Sequence, residues 1–124
     1  MKKQRPVNLD LTTISLPAAG LSSILHRISG VIMLISVGLL VWALATSLQS
    51  NEGFAMVHEL FTSFIAKFIA WGILTALGYH LLAGVRHMFM DMGYFEELKS
   101  GRVSAQIVFV LAIILSVLAG VWLW

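Results

Sequence analysis

The chain has 124 residues, of which 59% are apolar and only 11% charged, with a net charge of +2 and no cysteine. Its mean hydropathy of +0.92 lies far from the soluble average and places it among integral membrane proteins. Without cysteine there can be no disulfide, no thiolate metal site and no covalent c-type haem attachment.

In chain order, the first segment, 1–20, carries Lys2, Lys3 and Arg5 and is broken by Pro6, Pro17 and Gly20. It lacks an apolar core and a small-residue cleavage site, so it does not read as a signal peptide. Three apolar runs follow, 28–48, 64–85 and 103–124. Each is long enough to cross a hydrocarbon core of about 30 Å, which takes roughly 20 helical residues. With their flanking turns these predict helices over 21–48, 64–90 and 103–124, in a single domain spanning 1–124. Ser22 or Ser23 is the expected cap of the first helix. Residues 49–53 read as a polar turn, and 54–61 as a segment lying in the membrane interface.

Four of the basic residues, Lys2, Lys3, Arg5 and Arg27, lie at or before the start of the first run, and Arg86, Lys99 and Arg102 are assigned to the second loop. The first loop and the C-terminus have none, although Lys67 lies just inside the second helix. The positive-inside rule then predicts a cytoplasmic N-terminus and second loop, with the first loop and C-terminus on the far side. Trp71, Trp122 and Trp124 would form the outer aromatic belt. The basic pI reflects this topology and gives no reason to invoke nucleic acid.

His80 is the most informative residue, because ionisable groups at membrane depth are costly and mark function. It sits in a stripe of small residues at four-residue spacing, Gly72, Ala76, His80 and Gly84, which suits close helix packing and equally a groove for a flat macrocycle. A histidine hydrogen-bonded across helices and a haem-iron ligand are both open readings. His87 lies two turns further along the same helix, about 10 Å away, so the pair cannot bracket one iron. His26 falls at the rim and His58 in the outer loop, which makes a partner subunit the economical source of a second axial ligand. In the third helix Ala112, Ser116 and Gly120 repeat the small spacing without a ligand and read as packing.

Ser23 and Arg27 are four residues apart and share a helical face. Arg27 could snorkel to lipid headgroups. Together with His26, the two could instead bind a propionate or a quinone carbonyl, both of which accept hydrogen bonds.

Two stretches carry a family resemblance: Arg5-Pro6-Val7 followed by Ser23-Ile24-Leu25-His26-Arg27-Ile28-Ser29, and His80-Leu81-Leu82-Ala83-Gly84-Val85-Arg86-His87-Met88-Phe89-Met90-Asp91-Met92-Gly93. With the three-helix layout they resemble, over essentially the whole chain, the cytochrome b membrane-anchor subunit of bacterial succinate dehydrogenase, respiratory complex II, most of all its enterobacterial form. The resemblance implies an all-α membrane protein whose three transmembrane helices pack with those of a companion anchor into a bundle in the bacterial inner membrane. It implies a complex with a flavoprotein, an iron-sulfur protein and a second anchor, a haem b shared between the anchors, and ubiquinone as the substrate reduced. By the same likeness His80 is an axial ligand of the haem iron, Ser23 and Arg27 belong to the quinone pocket, and His26, Arg27 and His87 lie by the haem propionates. With no flavin fingerprint and no cluster cysteines, the chain would not itself oxidise succinate. The anchor of a fumarate reductase and a purely structural anchor without haem are the alternatives.

Overall fold

The computed structural model describes residues 17–124. Lys2, Lys3, Arg5 and Pro6, and most of the 1–20 segment, lie outside the described residues. Four helices follow one another: α1 (Ala18–Gln49), α2 (Asn51–Leu60), α3 (Phe64–Asp91) and α4 (Leu98–Leu123). No strand occurs among the described residues. Helices α1, α3 and α4 have 32, 28 and 26 residues and are apolar enough to cross a membrane. At 1.5 Å per residue even the shortest reaches about 39 Å, beyond a hydrocarbon core of about 30 Å. This is the all-α membrane architecture expected from the sequence.

The entry to α1 differs from expectation. Pro17, extended at φ −67° and ψ 161°, precedes the first turn, and no side chain caps the helix. Its carbonyl accepts from Leu21 N at 2.9 Å. Ser22 and Ser23 therefore lie inside the helix and neither caps it. Ser22 is fully buried and receives the Tyr79 hydroxyl at its carbonyl (2.7 Å) and its Oγ (3.2 Å).

The polar turn between the first two apolar runs is shorter than expected, because a helix resumes at Asn51. Ser50 alone is extended, and its Oγ accepts from Gly53 N at 3.0 Å, which starts α2 at once. A Cβ at Gly53 would collide with the Thr46 carbonyl, so glycine is what lets α2 fold back against the end of α1. Ser63 starts α3 in the same manner, accepting from Ala66 N.

Helix α3 stops in a Schellman arrangement. Gly93 N donates to Met90 O at 3.0 Å and Tyr94 N to Phe89 O at 2.9 Å, with Gly93 at φ +92°. The Phe89 and Tyr94 rings meet edge to face at 6.0 Å, the apolar contact that accompanies this motif. Replacing Gly93 by alanine should lower stability by about 1 kcal/mol, because a Cβ is disfavoured in the left-handed region. Asparagine should be better tolerated there. Thermal unfolding of the purified complex, with the three versions side by side, checks this.

Helix α4 begins five residues ahead of the apolar run. Its buried residues, Gly101, Ser104, Ala105 and Val108, recur at helical spacing and carry the packing face back toward the loop. Arg86, counted with that loop for topology although the expected 64–90 helix contains it, lies inside α3 and is only 3% exposed. Its Nε donates to Ser104 Oγ at 3.0 Å and its Nη2 to Gly101 O at 3.2 Å. Ser104 Oγ in turn donates to Gly101 O, so a buried guanidinium ties the end of α3 to the start of α4.

Helix α3 packs against both α1 and α4. The small core is Tyr79, Ala83 and Val108, with Leu25, Leu82, Phe109 and Ala112 around it. Tyr79 and Phe109 stack at 6.1 Å. At the opposite end from the histidines, Trp71 Nε1 donates to Ser116 O and Thr75 Oγ1 meets Ser116 Oγ, both at 2.8 Å. A Cβ on Gly120 would lie 3.4 Å from Trp71 Nε1, so Ser116 and Gly120 do serve packing there. Most large apolar side chains, Leu34, Leu48 and Trp122 among them, face outward. Lipid or other helices must cover them.

Candidate functional site

Helix α1 buries three serines spaced seven apart, Ser22, Ser29 and Ser36. A repeat of seven keeps one face of the helix turned toward its neighbour over several turns. Small side chains there let α3 approach closely enough for its own ring-bearing residues to meet α1. Ser29 is 5% exposed, and here α3 presents His80.

His80 Nδ1 lies 3.0 Å from Ser29 Oγ and 3.2 Å from the His26 carbonyl oxygen. Ser29 Oγ itself donates to that same carbonyl at 2.8 Å. Nε2 of His80 has no hydrogen-bond partner among the described residues. The ring is seated against Gly30, where a Cβ would come within 3.3 Å of His80 Cε1.

Two further histidines complete the cluster. The His26 ring stacks on that of His80, with centroids 4.2 Å apart and planes 11° from parallel. The His87 ring is tilted against that of His26 at 5.0 Å and 49°. Gly84 leaves room for His26, since a Cβ there would stand 3.4 Å from His26 Nε2. His87 Nε2 is buried with no hydrogen-bond partner among the described residues. An orphaned buried nitrogen costs about 1–3 kcal/mol, so this one calls for a polar group from outside the described chain.

Of the residues singled out in the sequence, His26, His80 and His87 are thus brought together between α1 and α3. Arg27 is exposed and Ser23 half-buried; they share α1 with the cluster but make no hydrogen bond among the described residues. His58 lies far away in α2, against Phe54. The stripe is divided: Ala76 is buried and Gly84 faces His26, whereas Gly72 opens onto empty space.

Among the described residues no three histidine, cysteine, aspartate or glutamate side chains converge to hold a bare metal ion. Two of the three imidazoles are stacked and the third is tilted against them. A haem brings four equatorial nitrogens of its own, so the chain needs to offer only one imidazole with a free lone pair, and His80 fits that demand. The orphaned His87 Nε2 and the exposed Arg27 fit the anionic edge of the same group.

Sequence reasoning gave no part in the site to Ser29, Ser22 or Tyr79. The serine spacing of seven was a readable signal for the first two. Nothing local marked Tyr79, which joins α1 across 57 positions of chain.

Comparison with known proteins gives a consistent result. The family model described as succinate dehydrogenase/fumarate reductase transmembrane subunit matches residues 1–119. The succinate dehydrogenase cytochrome b556 subunit of Coxiella burnetii is 42% identical over 125 aligned positions, covering all of both chains. That of Paracoccus denitrificans is 35% identical, covering 92% of this chain and 88% of its own. That of Rickettsia felis is 32% identical, covering 93% and 90%.

Proposed function

The chain belongs to the succinate dehydrogenase/fumarate reductase transmembrane subunit family, and from that premise we propose that it is the cytochrome b anchor of a bacterial succinate dehydrogenase, binding haem b and helping to form the site of ubiquinone reduction. As a multi-pass membrane subunit it belongs to an oxidoreductase complex. The succinate side is favoured over fumarate reductase by the names of the three relatives above, each a succinate dehydrogenase subunit.

The observation that carries the haem reading is the seat of His80, with Nδ1 held between Ser29 Oγ and the His26 carbonyl and Nε2 left free. Metal-bound histidines characteristically have their second nitrogen tied in this way. His80 would hold the haem iron from this chain, and the companion anchor would supply a second ligand. His87 Nε2, His26 and Arg27 are donors for the propionates. When bound, the haem supplies a one-electron carrier beside the quinone.

At the quinone, Arg27 and Ser23 act together. The guanidinium offers five N–H donors and the serine one O–H, on one face of α1. They orient the substrate carbonyl and stabilise the negative charge that grows on its oxygen as electrons arrive from the iron-sulfur subunit. The outward-facing apolar side chains supply the surface for the second anchor, and the flavoprotein and iron-sulfur protein dock on the cytoplasmic side. In this reading the N-terminus is cytoplasmic and the C-terminus periplasmic, in the inner membrane.

The test is a reduced-minus-oxidised visible spectrum of the purified complex, taken with succinate and then with dithionite. A b-type spectrum that succinate itself develops is the expected result. A complex of intact subunit composition with no haem signal would leave a structural anchor and overturn the cytochrome reading.

A further inference from the structure

We infer that Ser29, acting through His80, is a positioning residue that fixes the tautomer and rotation of the ligand imidazole and thereby tunes the haem's reduction potential. This rests on His80 being the axial ligand, and takes the same site one shell further out.

Counting protons assigns the roles. A serine hydroxyl has one hydrogen, and that of Ser29 is donated to the His26 carbonyl at 2.8 Å. Toward His80 Nδ1, 3.0 Å away, Ser29 Oγ can then only accept. The His26 carbonyl, 3.2 Å from the same nitrogen, can only accept as well. Two acceptors facing one ring nitrogen require it to carry the proton. In the neutral imidazole the lone pair is therefore on Nε2, the atom left free for iron.

The seat also sets the ring's angle. Nδ1 is held from two directions, the flat face is backed by the His26 ring, and Gly30 leaves no slack at Cε1, where a Cβ would stand only 3.3 Å away. Ser29 is 5% exposed, so water does not compete for its lone pairs. An N–H···O bond at the outer nitrogen raises the basicity of the ligating one and favours ferric iron. Removing the Ser29 acceptor, which leaves only the His26 carbonyl at 3.2 Å, should shift the midpoint potential upward.

The experiment compares Ser29→Ala and Ser29→Thr with wild type in the intact complex, with His80→Ala alongside. Haem content, redox titration and the low-spin g-values by electron paramagnetic resonance are read for each. The expected result is that Ser29→Ala keeps its haem, titrates at a higher potential and shows altered g-values, while Ser29→Thr, which retains the hydroxyl, moves back toward wild type. A haem-loaded Ser29→Ala complex with unchanged potential and g-values would overturn the inference, as would a shift that threonine does not reverse. Should Ser29→Ala fail to assemble, Gly30→Ala decides in its place. Altered g-values there support a tightly set ring, and unaltered ones refute it. Unperturbed haem in His80→Ala would instead sink the ligand assignment itself, a separate failure.

Discussion

Haem should be lost from the complex when His80 is replaced by alanine, with the b-type absorption falling to background while the subunit composition stays intact. Replacing a partner of a metal ligand costs roughly 10–100-fold in affinity, and removing the ligand costs more. No neighbouring imidazole can step in. His26 lies flat against the ring of His80 at 4.2 Å, and His87 is tilted against His26 at 5.0 Å from a position seven residues further along α3, so neither ring takes the place of Nε2. His26→Ala gives the contrasting expectation. The contact of His26 with His80 Nδ1 is through its backbone carbonyl, which alanine retains. Haem should then persist with a perturbed spectrum. Haem quantified per complex checks both variants, and equal haem in His80→Ala and wild type would remove His80 from the ligand set.

Arg27→Leu should lower succinate:ubiquinone reductase activity by about 10²-fold, the usual effect of deleting a donor aimed at developing negative charge. Electron transfer from succinate to a water-soluble dye that accepts upstream of the quinone should be unchanged. Arg27 is exposed in this chain, so its donors are available to a molecule lying against α1. Arg27→Lys should fall between the two, since an ammonium keeps the charge but not the planar fork. If Arg27 only reaches lipid headgroups, the leucine variant will reduce quinone at the wild-type rate.

Much of this architecture could be read from the sequence because the membrane simplifies it. A span in lipid must satisfy its own backbone, which leaves the helix as the solution for each apolar run. The features that were misread are those decided by single residues: Pro17 in place of a serine cap, Ser50 restarting a helix where a turn was expected, and Arg86 buried against Ser104 and Gly101 where a charge at the membrane edge was expected. At the site, His80 and His26 were marked by type and depth. Ser29 was not, because its part depends on which way two helices face each other, and that is set by contacts 51 positions apart.

The serines of α1 also bear on the order in which the chain can enter the bilayer. Ser29 donates to His26 O and Ser36 to Ile32 O, both within their own helix. Alone among acyl chains, α1 would therefore carry no hydroxyl proton in want of an acceptor at these two positions. The demand of the His80 imidazole enters with α3, and by then the Ser29 oxygen is in place to receive it. With these two hydroxyls satisfied within α1, α3 brings His80 to a site already laid.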